Sequence, residues 1–214
     1  MKYDSIIWDW NGTLLNDVDI VVETINQLLN DRNLTLLTIG RYLDVFTFPV
    51  RDYYEQIGFD FRIEPFEIPA LQFITIYNKA VDACGLHKEV VPLLSRLQGE
   101  GYRQFILSAM EQEQLEKTVT NNEISSFFED LCGLNDHYAV SKVANGKSLI
   151  TKHGLNPERT LMVGDTIHDY EVAMAIGCKC VLVANGHQSK QRLLKSGAQV
   201  FDRLDEIELE ITRS

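Results

Sequence analysis

Two short apolar runs, far apart in the chain, each stop on an aspartate. Ile6-Ile7-Trp8 ends on Asp9 with Asn11-Gly12-Thr13 close behind, and Leu161-Met162-Val163-Gly164 ends on Asp165, followed by Asp169. An apolar run of this length bounded by turn residues reads as a buried strand that delivers its last residue into a loop. From Val90 onward such strands alternate with helices. Helical patterns cover 90–97, 111–119, 146–153 and 171–176, with a short one near Leu193. Strands are expected at 104–107, within 127–134, at 160–163 and 180–183, and a last apolar pair is Val200-Phe201. Strands separated by helices of this length imply right-handed crossovers, and so an α/β fold with a doubly wound parallel sheet. Open parallel sheets bind ligands outside the carboxyl ends of their strands, where Asp9 and Asp165 would both sit.

The stretch after Asn16 follows another rhythm. Val18, Val21, Val22, Ile25, Leu28 and Leu29 recur at helical spacing with acids early, as an amphipathic helix should. The pattern breaks at Phe46-Thr47-Phe48-Pro49 and at Pro65 and Pro69, and 71–81 reads as another helix. No alternating strand interrupts it. The expected organisation is an α/β core of residues 1–15 and 88–214 carrying an inserted α-helical cap of residues 16–87.

Composition narrows the function classes. A net charge of −11 without a Lys/Arg run argues against nucleic acid and anionic membranes as partners. An anionic substrate would therefore need a local cation or a metal. No 18-residue apolar stretch occurs, and Met1-Lys2-Tyr3-Asp4 leads directly into a strand without signal-peptide layout, so a cytoplasmic location is expected. Cys178 and Cys180 lie at period 2 in an apolar run and no second Cys/His pair offers zinc spacing, which favours core packing over metal binding.

Asp9-Trp10-Asn11-Gly12-Thr13 resembles the first motif of the haloacid dehalogenase-like hydrolases, usually Asp-x-Asp-Gly-Thr, with Asn11 in place of the second Asp. Gly164-Asp165 through Asp169 resembles the fourth, Gly-Asp-x-x-x-Asp, and the resemblance runs over essentially the whole chain. It implies a Rossmann-like core with a substrate-selecting cap, closest in pattern to the phosphoglycolate-phosphatase-like branch. Asp9 would be the nucleophile, since a carboxylate can form an aspartyl-phosphate. Asp9, the Asn11 carbonyl and Asp165 would bind Mg²⁺, with Asp169 supporting; Mg²⁺ takes one or two protein carboxylates plus phosphate and water. Read without the resemblance, Asp165 and Asp169 are a helix cap and a dipole partner. Ser108 and the Ala109 N–H match the phosphate-binding second motif, although a strand-end Ser is commonly a turn residue. For the third-motif lysine, Lys147 follows Gly146 at an expected helix start, whereas Lys142 has the spacing to Asp165 that relatives usually show; Lys142 is chosen.

In the cap, Arg51 follows the break at Pro49 and could clamp a carboxylate or phosphate bidentately. His187 follows a strand end and is expected at the crevice rim, while His168 is not counted as a ligand. The reading is a Mg²⁺-dependent phosphatase-like hydrolase of a small phosphorylated metabolite. Its alternative is a phosphate-ligand or partner-binding protein whose turnover Asn11 has impaired, because an amide has no proton to exchange and acid–base assistance is worth ~10²–10⁴-fold.

Overall fold

The structure, a computed structural model, describes residues 2–134 and 141–212. Its frame is a parallel sheet of β1 (Ser5–Trp8), β2 (Arg103–Glu111), β3 (Asp130–Leu134), β4 (Thr160–Gly164), β5 (Lys179–Val183) and β6 (Gln199–Phe201). The strand order is β3-β2-β1-β4-β5-β6. The chain thus winds outward from β1 to one edge, then returns to β1's other side and winds to the opposite edge. β1 and β4 flank the point where the winding reverses, which leaves a crevice at their carboxyl ends. Ile6 and Trp8 pack into the core on one face and Ile7 into the core on the other, as the two-residue period of a strand requires.

Helices cover both faces. Before β2, the chain forms α1 (Val18–Asp31), α2 (Ile39–Val45), α3 (Val50–Gln56), α4 (Glu67–Val81) and α5 (Val90–Gly99). Later come α6 (Gln112–Asn121), α7 (Lys142–His153) and α8 (Ile167–Ile176). The face that receives Trp8 also receives Leu93, Leu94, Leu97, Leu115 and Val119 from α5 and α6. Ile7, Phe105 and Met162 meet Leu149 of α7 and Val172, Ala173 and Ile176 of α8. Cys178 and Cys180 lie in that second core, and all four cysteines are free thiols. No described helix is long and apolar enough to cross a membrane.

Helices α1–α4 form the layer above the crevice. Their buried stripe on α1 is Val21, Val22, Ile25, Leu28 and Leu29, the residues that helical spacing selects. Pro69 does not interrupt α4 but lies in its first turn, where a missing N–H costs no intrahelical bond. Helix α7 begins at Lys142, capped by Ser141, whose side chain accepts from Ala144 N. Gly146 is therefore inside the helix, not at its start. A side chain there would meet Ile176 and Leu107 at 3.0 Å, so the glycine serves close packing of α7 on the sheet. Strand β2 also runs past its expected end and carries a register shift against β3 between Leu107 and Glu111.

Candidate active site

The sheet register sets the site. Trp8 pairs with Val163, and the Asp9 N–H donates to the Val163 carbonyl at 2.8 Å, so the carboxylates after β1 and β4 emerge side by side. Asp9, Asp165 and Asp169 are buried and bring one oxygen each within 4.8 Å of the others. Lys142 Nζ donates to Asp9 Oδ1 in a short contact and to Asp169 Oδ1 at 2.6 Å. Asp169 Oδ2 accepts from the Thr166 N–H (3.0 Å) and hydroxyl (2.6 Å), closing a capping box on α8. Thr166, not Asp165, is thus the helix cap. Asp169 does two jobs: it starts the helix and it aims the lysine. Lys147 is exposed on the helix surface, so of the two candidate lysines Lys142 alone reaches Asp9.

Lys142, with the His187 imidazole opposing burial at Asp165, faces three buried acids, and the imbalance shows in their protonation. Burial, reinforced by the Asp169 charge, pushes the Asp9 carboxyl up to about 6 despite Lys142. Burial likewise pushes Asp165 well above the usual carboxylate range, with the charges of Asp9 and Asp169 adding to it. Burial opposes ionisation of Asp169 too, yet Lys142 and Thr166 hold it below that range. Burial alone would lower Lys142, but Asp169 and Asp9 raise it. Thr13 Oγ1 lies 3.1 Å from both Asp9 Oδ2 and Asp165 Oδ1, and its single proton serves only one of them. A cluster of hard oxygens short of positive charge has the donor chemistry that suits a small divalent cation such as Mg²⁺.

Glycine permits this crowding at two places. At Gly12 (φ +73°) a Cβ would lie 2.4 Å from Asp165 Oδ2, and at Gly186 it would lie 2.1 Å from the same oxygen. The backbone comes this close only where no side chain intervenes.

A second polar cluster lies beside the first. Asp17 stands just before α1 but does not cap it. Instead Asp17 Oδ1 accepts from Gly12 N (2.8 Å) and lies 3.1 Å from His187 Nε2, while Oδ2 accepts from Asn11 Nδ2 (2.9 Å) and Tyr77 OH (2.6 Å). Asn11 Nδ2 also donates to Tyr77 OH at 2.7 Å, and His187 Nδ1 pairs with Tyr42 OH at 2.9 Å. Burial opposes its charge, but the Asp17 carboxylate raises the His187 imidazole to about 9. Its backbone N–H donates to Asp165 Oδ2 at 2.5 Å.

Of the residues singled out from sequence, Asp9, Asn11, Ala109, Lys142, Asp165 and Asp169 line one cavity of about 440 Å³, together with His168 and His187. Ser108 is behind its wall, fully buried, with Oγ accepting from Met110 N at 3.0 Å. It does not close β2 but lies within it at the register shift. Arg51 is not at the cavity. Its guanidinium lies over the Phe61 ring at 4.7 Å and beside Glu55 at 3.5 Å, half exposed. The intervening rings, not the break at Pro49, decide its direction. Asp17, Tyr42 and Tyr77 were not foreseen as site residues. Asp17 carried a signal, an acid beside the first motif, whereas Tyr42 and Tyr77 sit in helices with nothing local to mark them.

A family model for haloacid dehalogenase-like hydrolases matches residues 6–183. The chain belongs to that family. Among curated proteins it is 25% identical over 186 residues to the pyrophosphatase PpaX of Anoxybacillus flavithermus, covering 86% of this chain and 85% of the relative. It is 23% identical over 206 residues to a phosphoglycolate phosphatase of Aliivibrio fischeri, covering 91% and 90%. A 5'-nucleotidase of Pseudomonas aeruginosa is 23% identical over 201 residues, covering 90% and 88%. The fold superposes on a structure described as a predicted phosphoglycolate phosphatase from Haemophilus somnus with a TM-score of 0.79 at 22% identity, covering 100% of this chain and 99% of that one. A haloacid dehalogenase-like hydrolase from Streptococcus pneumoniae gives 0.83 at 18% identity, covering 99% of each. The names of the three curated relatives give three different phosphate substrates.

Proposed function

We propose that the protein is a Mg²⁺-dependent phosphatase of a small phosphorylated metabolite, working through an aspartyl-phosphate on Asp9. The observation that carries this reading is Lys142 Nζ bridging Asp9 and Asp169 at the floor of a cavity, with Asp165 alongside. An Asp9 oxygen attacks phosphorus in line; the bond from phosphorus to the substrate alcohol breaks, and the alcohol leaves with a proton from solvent or a neighbour. Water then attacks the same phosphorus, releases inorganic phosphate and regenerates the Asp9 carboxylate. Lys142 and the Ala109 N–H offset charge on the phosphoryl oxygens, the main task in phosphoryl transfer. Ser108 acts from behind by holding the irregular stretch of β2 that presents Ala109. A divalent cation held by Asp9, Asp165 and the Asn11 carbonyl, with Asp169 supporting, would supply further positive charge there. Residues 16–87 serve as the cap and residues 1–15 with 88–214 as the core.

The test is phosphate release from a panel of phosphomonoesters with and without Mg²⁺, in the native protein and in Asp9→Asn. Mg²⁺-dependent release abolished by the substitution is expected. Equal release with and without Mg²⁺, or an active Asp9→Asn protein, overturns the reading.

A further inference from the structure

The cavity that rises from Asp9 toward the cap changes character with height. Its upper wall is made of rings and aliphatic groups, among them Phe46, Phe48, Phe66, Phe73, Leu71 and Ile74. Among the described residues, Lys142 is the one lysine or arginine that lines it, while Asp17, Glu67 and Glu111 add acids to the three at the floor. Lys142 is already shared between two carboxylates. The His187 imidazole faces Asp17 on one nitrogen and the Tyr42 hydroxyl on the other. His168 stacks on Phe48 at 4.6 Å and has Glu171 at 3.5 Å from Nδ1. The nearby arginines do not line it: Arg51 lies over the rings of Phe61 and Phe66, and Arg192 donates to the carbonyls of Leu43 and Phe46.

A phosphoryl group at the floor has its counter-charges there, but a second anion at the cap end would be desolvated among rings and acids, with hydroxyl and amide groups such as those of Tyr53 and Asn78 but no lysine or arginine to meet it. Burying a charge without a partner is strongly unfavourable. We infer that the alcohol portion of the substrate is uncharged and apolar or aromatic, and that esters bearing a carboxylate or a second phosphate are selected against. The cavity volume, about 440 Å³, is in the range of small-molecule sites, which are lined mainly by apolar and aromatic side chains. This inference rests on the phosphatase reading for its reaction, but not for its geometry.

Benzyl phosphate and 4-carboxybenzyl phosphate break the same benzylic phosphoester linkage, and their leaving alcohols differ in one remote charge. With Mg²⁺, kcat/KM for benzyl phosphate should exceed that for the carboxylated ester at least tenfold, and phosphoglycolate and pyrophosphate should fall with the latter. Leu71 lines the cavity on α4 and is 65% exposed, so Leu71→Arg adds a cation at the mouth with little demand on packing. It should narrow the gap at least threefold by improving the carboxylated ester. Equal rates for the two esters, or a preference for the charged one, overturn the inference. Calorimetric titration of the native protein in Mg²⁺ with benzylphosphonate and 4-carboxybenzylphosphonate separates binding from turnover. Tighter binding of benzylphosphonate with no ester hydrolysed would leave the inference standing and defeat the phosphatase reading. Equal affinities, or no binding of either compound, overturn the inference.

Discussion

The floor and the upper wall of the cavity are held together differently. At the floor, Asp169 alone receives Lys142, the Thr166 N–H and the Thr166 hydroxyl, and directed bonds of this kind fix atoms closely. The wall is assembled by rings, such as Phe46 and Phe48 in edge contact at 5.4 Å and Phe73 stacked on Tyr77 at 5.6 Å. Ring packing is governed by volume and tolerates exchange of one apolar group for another of similar size. The difference teaches that chemistry and selection can change separately here, joined chiefly by Asp17, Tyr77 and His187.

The sharpest way to break this division is at Asp9. Asp9→Asn should cost on the order of 10³-fold or more in kcat, as loss of a covalent nucleophile does elsewhere, with far-UV circular dichroism unchanged. Near-normal turnover would remove the floor's claim to the chemistry.

Lys142→Met tests whether the floor is structural as well as reactive. Loss of one preorganised charge contact costs ~10²–10³-fold in kcat. Removing one member of a buried ion pair typically costs ~3–5 kcal/mol of stability, here read from urea unfolding. A stability loss far below that, with activity still lost, would show that the acids are at ease without their lysine.

Asn11→Asp addresses the join between the two regions. From sequence alone, restoring a carboxyl should raise turnover, most for alkyl phosphates. In the fold, Asn11 Nδ2 donates to Asp17 at 2.9 Å, so a carboxylate would face another. The single substitution should cost about 1–3 kcal/mol, the typical result of leaving a buried polar group without its partner. Asp17→Asn combined with it should recover part of that loss in a double-mutant cycle, and the gain on alkyl phosphates should appear only there. A single variant that is both fully stable and faster would show that Asp17 does not constrain Asn11.

The smallest effect is expected at Arg51. Arg51→Ala should leave the benzyl to carboxybenzyl preference within about twofold and lower stability by ~0.5–1 kcal/mol, the scale of an exposed cation–ring contact. A marked change of preference would draw the cap's outer face into selection.

The floor was legible in the sequence because strand-end carboxylates come with local signals: apolar runs, turn residues and fixed spacing. Asp9, Asp165 and Asp169 stand at strand ends by those patterns, while the register of β1 on β4 that sets Asp9 beside Asp165 is seen only in the fold. Choosing Lys142 needed spacing from a related pattern, since Gly146 resembled a helix start and only the approach of Ile176 and Leu107 explains it. The wall was not legible. Which face of α1–α4 meets the crevice depends on packing between helices, so Tyr42 and Tyr77 gave no hint, and the chain break that singled out Arg51 could not show that its guanidinium lies over Phe61 and Phe66. Asp17 was hidden for another reason: an acid before a helix normally caps it, and here its oxygens are taken by Gly12 and Asn11 in the preceding loop and by Tyr77 and His187 far along the chain.

The chain lies close to itself just before α1 and just after α4. Asn16 N donates to the Gly85 carbonyl at 3.0 Å, His87 N donates to the Leu14 carbonyl at 3.1 Å, and Leu15 bridges Leu86 in antiparallel fashion. Departing and returning chain are therefore one strand spacing apart, roughly 4.7–4.9 Å, and a two-residue turn spans such a gap. Closure entropy grows only slowly with the length of what is inserted between fixed ends. If α1–α4 are an inserted cap, as proposed, the core would hold it by two neighbouring points of chain. Exchange of one helical cassette for another at Leu15 and Leu86 would leave the winding of the sheet untouched.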